Sequence, residues 1–159
     1  MCSSDLDGSI TGCSSSATVR GTVDVGGVAG QTNGGATLTA CYATGNVIIE
    51  IDPVKNISGG GLVGMNGGNG LFACYATGNV TSTGSSTGNV HIFGLLGDNY
   101  TTVTACYWKN NHEQGYKTAP ESTKVDGTYV TWENAVDAMN RALQNAGSEW
   151  RYELNGALP

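Results

Sequence analysis

Side chains that could do chemistry are few and scattered in this chain of 159 residues. Its two histidines are His91 and His112, and no HExxH pair exists. His112-Glu113 could begin a metal site, but no third ligand follows at usable spacing. A polysaccharide-cleaving site needs carboxylates or basic groups gathered on one face. Asp24, Glu50, Asp52, Lys55 and Asp98 instead fall at different phases of the pattern described next, and Arg20 is the sole arginine among them. No catalytic residue, metal ligand or cofactor is therefore assigned, and the chain is read as non-enzymatic. Of the five cysteines, Cys13, Cys41, Cys74 and Cys106 recur about once per repeat, while Cys2 lies outside. That spacing is neither a CxxC metal pattern nor a dense disulfide framework. Small apolar fillers of a narrow core are the plainer reading. Disulfides between adjacent repeats are the sharper one, because one strand spacing lies within the ~4.4–6.8 Å that a disulfide permits.

The element that must position these residues is a repeat. Ala40-Cys41-Tyr42-Ala43-Thr44-Gly45-Asn46-Val47 returns letter for letter as Ala73–Val80, 33 residues on. A second element recurs between the copies: Gly27–Gly30, Gly61–Gly64 and Gly94–Gly97. Each repeat holds short β-branched and apolar runs cut by Gly, Asn and Ser, and none has a helix's length or period. One copy cannot bury a face alone, so copies must stack. The expected fold is all-β: a parallel β-solenoid of three to four turns spaced ~4.8 Å apart. It is right-handed, by the general handedness of parallel connections.

Alternation along the opening element puts Cys41, Ala43, Gly45 and Val47 inward and Tyr42, Thr44 and Asn46 outward. Leu38 and Leu71 break the alternation, which predicts a bend or bulge at Ala40 and Ala73. Asn33, Asn66 and Asn99, at a constant offset of 33, are expected to form one hydrogen-bonded column. Tyr42, Tyr75 and Tyr107 are expected to form an outward aromatic ladder, the candidate binding surface. The bland alternative is a ladder that only stiffens the sheet or packs under a loop.

Residues 1–6, Met-Cys-Ser-Ser-Asp-Leu, match what a GTG-TGC-TCT-TCC-GAT-CT adapter end would encode, and are set aside from the fold as a sequencing artefact. The solenoid is assigned to residues 7–116. Residues 117–159 read as a linker, a hairpin over Val125–Val130 with an Asp-Gly turn, a helix and a short strand. The helix is N-capped by Thr131, runs to about Asn145 and stops at Gly147. The strand covers Trp150, Tyr152 and Leu154. This unit is expected to cap the last turn and hide its open edge.

The Gly-Leu-Val-Gly elements set between Cys-Tyr-Ala-Thr-Gly-Asn-Val copies resemble the GLUG-motif repeat, over roughly residues 13–110. That repeat occurs in large bacterial surface and secreted proteins, among them adhesin-like proteins and the non-catalytic parts of some immunoglobulin-cleaving metallopeptidases. The resemblance implies a stalk or adhesion segment at the bacterial surface or outside the cell, with a glycan or a host or neighbour-cell protein as partner. The alternatives are an accessory region of a larger surface peptidase and a glycan-active β-helix protein. A net charge of −6 with seven Lys and Arg argues against nucleic acid and anionic membrane surfaces. No apolar run approaches a membrane span.

Overall fold

The computed structural model describes residues 5–6, 8–116, 122–156 and 159, with the backbone alone for 5, 6 and 122. Among the described residues strands are the main regular structure, beside a single helix, and every strand pairing is parallel. A lead strand, β1 (Asp5–Leu6), precedes three passes of five strands each. The first pass is β2 (Ile10–Thr11), β3 (Ser14–Ser15), β4 (Val19–Gly21), β5 (Asp24–Gly26) and β6 (Ala29–Thr32). The second is β7 (Thr37–Thr39), β8 (Tyr42–Ala43), β9 (Val47–Glu50), β10 (Ile57–Gly60) and β11 (Val63–Asn66). The third is β12 (Gly70–Phe72), β13 (Tyr75–Ala76), β14 (Val80–Thr83), β15 (Val90–Phe93) and β16 (Leu96–Asn99). A partial fourth holds β17 (Val103–Thr104) and β18 (Cys106–Trp108), and β19 (Ser122–Lys124) lies beside β18. Each strand pairs with its counterpart in the next pass, which makes five sheets, ordered for example β17-β12-β7-β2 and β19-β18-β13-β8-β3.

The register stacks like on like: Tyr75 sits beside Tyr42 and Tyr107, Ala76 beside Ala43, Val80 beside Val47. The inward assignment holds, since Cys41, Ala43, Val47, Cys74 and Ala76 are buried. Two apolar clusters fill the interior. One joins Leu38, Leu62, Leu71, Leu95 and the cysteines. The other joins Val25, Val47, Ile49, Ile57 and Val80. The bend is also where the broken alternation puts it. Ala40, Ala73 and Ala105 have φ of 52°, 51° and 50°. That left-handed conformation costs an alanine roughly 1–2 kcal/mol. Across each bend a thiol donates to the carbonyl two residues back: Cys41 to Thr39, Cys74 to Phe72 and Cys106 to Thr104, all at 3.3 Å. The cysteines thus tie off a corner carbonyl as well as filling space.

The glycine elements sit where passes touch. A Cβ at Gly27 would lie 2.5 Å from the Gly61 carbonyl oxygen and 2.6 Å from the Ala43 methyl. One at Gly61 would strike the Gly94 carbonyl. Only a residue without a side chain fits there.

Four expectations change. The Asn column forms between Asn66 and Asn99, Nδ2 to Oδ1 at 2.7 Å, but its first member is Thr32, whose hydroxyl donates to Asn66 at 2.8 Å. Asn33 stands one residue further on, because Val63 pairs with Ala29 and carries the offset of 34 through that strand. Asp5 and Leu6, set aside as artefact, pair with Gln31 and Thr32, whereas residues 1–4 lie outside the described residues. Val125–Val130 is a loop, not a hairpin, held by Asp126 accepting from the N–H groups of Thr128, Tyr129 and Val130. Trp150–Leu154 is irregular, not a strand, and is tied down by Asn140, which bonds both the N–H and the carbonyl of Tyr152. The linker at 117–121 lies outside the described residues.

The helix α1 (Trp132–Asn145) forms as expected, with a capping box between Thr131 and Asn134. At its other end Gly147 donates to Gln144 and Ser148 to Leu143, a Schellman closure with Gly147 at φ 71°. The helix does not lie across the end of the last pass. It packs along the outside, its Trp132, Ala135, Val136, Met139 and Leu143 against the tyrosines. The end of the third pass is covered instead by residues 108–116. Trp108 and Tyr116 plug the interior. The Gly115 carbonyl accepts from the Leu95 and Leu96 N–H groups. The Asn111 side chain accepts from the Val80 N–H at 2.9 Å and donates to its carbonyl at 2.8 Å. One side-chain amide thus takes the place of a neighbouring strand's peptide group. β19 covers the edge of β18, so the C-terminal unit closes one sheet only.

Candidate functional site

The tyrosine ladder is built by three in-register strands. Tyr42 and Tyr75 stack with centroids 4.8 Å apart and planes 2° from parallel. Outward pointing does not leave the ladder open. Tyr75 is fully buried, while Tyr42 and Tyr107 are half-buried. Trp132 and Tyr152 meet Tyr75 edge-on at 5.2 and 5.6 Å. The Tyr75 hydroxyl donates to the Pro159 carbonyl at 2.8 Å, and the Tyr152 hydroxyl to the carbonyl of Ala73 at the bend at 2.9 Å. Burial pushes both phenols well above the usual tyrosine range, Tyr75 with a further contribution from Tyr42. The middle of the candidate surface is therefore the seat of the C-terminal unit.

Both ends of the ladder stay half-buried, and a cleft lies at the Tyr42 end. The column runs Ser14, Tyr42, Tyr75, Tyr107, Thr123. In the first pass a serine occupies the tyrosine position, so no ring covers the face of Tyr42 turned toward β3. A cleft of about 260 Å³ opens there, lined by Ser14, Tyr42, Trp150, Arg151, Tyr152 and Glu153. Trp150 is 49% exposed and lies over Gly12, which has no side chain to hold it off. The repeat pattern contained the signal for this cleft, in Ser14 standing where tyrosine recurs. The partners from residues 150–153 had no repeat to mark them.

The other reactive groups are engaged elsewhere. Cys13 is exposed, whereas Cys41, Cys74 and Cys106 are buried free thiols. The neighbouring Cys74 thiol and burial push the Cys41 thiol far up, and burial followed by Cys106 does the same to Cys74. Raised thiols are poor nucleophiles and poor metal ligands. His112 bonds the Val80 carbonyl at 3.0 Å and Glu113 pairs with Lys124 at 2.7 Å, so this sequence pair does not converge. Arg20 pairs with Glu50 at the surface.

One cluster was not legible in the sequence. His91 Nδ1 lies 2.6 Å from Asp98 Oδ1, and the Ser58 hydroxyl donates to Asp98 Oδ2 at 2.7 Å. A nucleophilic serine needs the histidine as its base, with the carboxylate behind it. Here the carboxylate sits in the middle and takes the serine proton's hydrogen bond itself. The residues are those of a hydrolase triad in the wrong order. Among the described residues no group of three or more His, Cys, Asp or Glu could hold a metal ion, and no helix is long and apolar enough to cross a membrane. No family model, curated protein or solved structure matches the chain, so its own geometry carries the functional reading.

Proposed function

We propose that the five parallel sheets are the sides of a right-handed parallel β-solenoid. It serves as a non-enzymatic rigid stalk or adhesion segment of a bacterial surface or secreted protein. One observation carries this reading: the same residue types stack pass upon pass, tyrosine on tyrosine, alanine on alanine and valine on valine. Each pass contacts only its neighbours, which is the organisation of a rod. The resemblance of Gly27–Gly30, Gly61–Gly64 and Gly94–Gly97 to the GLUG repeat supplies the surface or extracellular setting. Its partner classes are a glycan or a protein of a host or neighbouring cell.

The test pulls single molecules by their two ends. A stalk resists until it breaks as one cooperative unit. Extension at the forces that stretch an unstructured linker would overturn the reading. So would turnover of peptides or polysaccharides by the purified chain.

A further inference from the structure

We propose that the missing step of the tyrosine ladder is a binding site for one neutral sugar ring. The inference rests on the adhesion reading above and assigns its ligand class and place. The cleft begins as a gap in a stack. Tyr42 has Tyr75 at 4.8 Å on one face and only Ser14 on the strand beyond the other. A ring set on that open face would continue the stack at its own spacing. The volume, about 260 Å³, falls below the roughly 300–1,000 Å³ of drug-sized pockets, which suits a single ring over an extended chain.

The rim decides between a sugar and an aromatic guest. Ser14, Glu153 and the Tyr42 hydroxyl line the cleft, and among the described residues their side chains have no hydrogen-bond partner. Arg151 uses one terminal nitrogen on the Ser148 and Trp150 carbonyls, at 2.7 and 2.6 Å, and keeps its others for a guest. Donors and acceptors placed around the edge of an aromatic platform match the equatorial hydroxyls of a pyranose, whose C–H face lies on the ring. A plain aromatic guest would cover the platform but make no hydrogen bond to that rim, whose exposed groups would keep their water. Trp150 supplies a second, half-exposed wall and Tyr152 a third, edge-on to Tyr42 at 6.5 Å. The net charge of −6 disfavours polyanionic glycans, and Arg151 beside Glu153 leaves the cleft lining itself without net charge, which suits a neutral sugar.

The experiment titrates the full chain with methyl glycosides of glucose, galactose, mannose and N-acetylglucosamine, and with phenol as the aromatic alternative. The indole N–H signals of Trp108, Trp132 and Trp150 are read by NMR. At least one glycoside is expected to move the Trp150 signal saturably, leaving those of buried Trp108 and Trp132 in place. Trp150→Ala, read through the Tyr42 ring signals, weakens that binding about tenfold. Ser14→Tyr adds the missing ring and abolishes it while the melting temperature holds or rises. The proposal falls if no glycoside binds, if phenol alone does, or if Ser14→Tyr binds like the parent. Those outcomes leave the pulling experiment standing, so the site and the stalk fail separately.

Discussion

The stacked passes and the C-terminal unit reach stability in opposite ways. In the passes several positions meet their own kind in the neighbouring strand, so one packing solution is reused. Leu38, Leu71 and Val103 hold equivalent positions in adjacent strands of one sheet. Among the described residues the C-terminal unit has one strand, one helix, one loop and one irregular stretch, and each contact occurs once. Its apolar residues meet the outside of the passes, on a face the repeat presents without regard to them. Repetition makes a fold robust to copying but intolerant of any residue that breaks the stack. A docked unit tolerates local change and depends wholly on the surface it finds.

The strongest test of that contrast compares one substitution in both regions. Gly61→Ala drives a methyl into the Gly94 carbonyl, and its Ala76 neighbour leaves no escape at 2.9 Å. Its cost is about 3 kcal/mol or more, and the protein fails to fold by circular dichroism. Gly127→Ala meets open space and pays only for its φ of 79°, roughly 1–2 kcal/mol in urea unfolding. Equal costs would erase the distinction.

Leucine truncations come next. Leu71→Ala and Leu143→Ala each lose about 2–5 kcal/mol, both sites being buried. Their consequences differ. With Cys2 and Cys13 replaced by serine, Leu71→Ala exposes Cys74 to a thiol reagent. Leu143→Ala frees the helix but leaves Cys74 protected. Reaction of Cys74 in both variants would show that the passes cannot stand without their docked unit.

Tyr75→Phe probes the seam itself. It removes one hydrogen bond to Pro159 and keeps the stack, at a cost of about 0.5–1.5 kcal/mol in thermal or urea unfolding. A larger loss would mean that the phenol, more than the ring stack, holds the two regions together.

Acid gives the smallest effect. Backbone N–H groups, first that of Val130 and then that of Thr128, hold Asp126 below the ordinary value of 3.8. A depressed carboxyl stabilises the fold above its unfolded pKa and loses that contribution as pH falls through its folded pKa. The loop therefore weakens only below about pH 4. Asp126→Asn should lower the melting temperature slightly near neutrality, where the carboxylate is charged, and converge with the parent curve in acid.

What the sequence made legible follows the same division. The facing of Cys41 and Tyr42, and the bend at Ala40 and Ala73, could be read because each is stated more than once. The Asn column slipped by one residue because the two repeat elements carry offsets of 33 and 34, and pairing near Thr32 follows the second. Val125–Val130 has the letters of a hairpin, but Asp126 satisfies the backbone locally and no partner strand forms. Trp150, Tyr152 and Leu154 alternate like a strand because two of them reach the tyrosine face, not because they pair in a ladder. The closure by Trp108–Tyr116 was illegible for the plainest reason: a closing segment exists once, so no pattern announces it.

The Asn111 amide standing in for a peptide group has a genetic consequence. Because the end is closed by side chains that recognise only the last pass, that closure is indifferent to how many passes lie beneath it. Unequal crossing-over between the segments coding for the identical stretches Ala40–Val47 and Ala73–Val80 would add or delete one 33-residue unit in frame. The product would meet the same lid at the same height above its final strand. Molecular length then becomes a quantity that recombination can adjust in single steps, without inventing a new terminus each time.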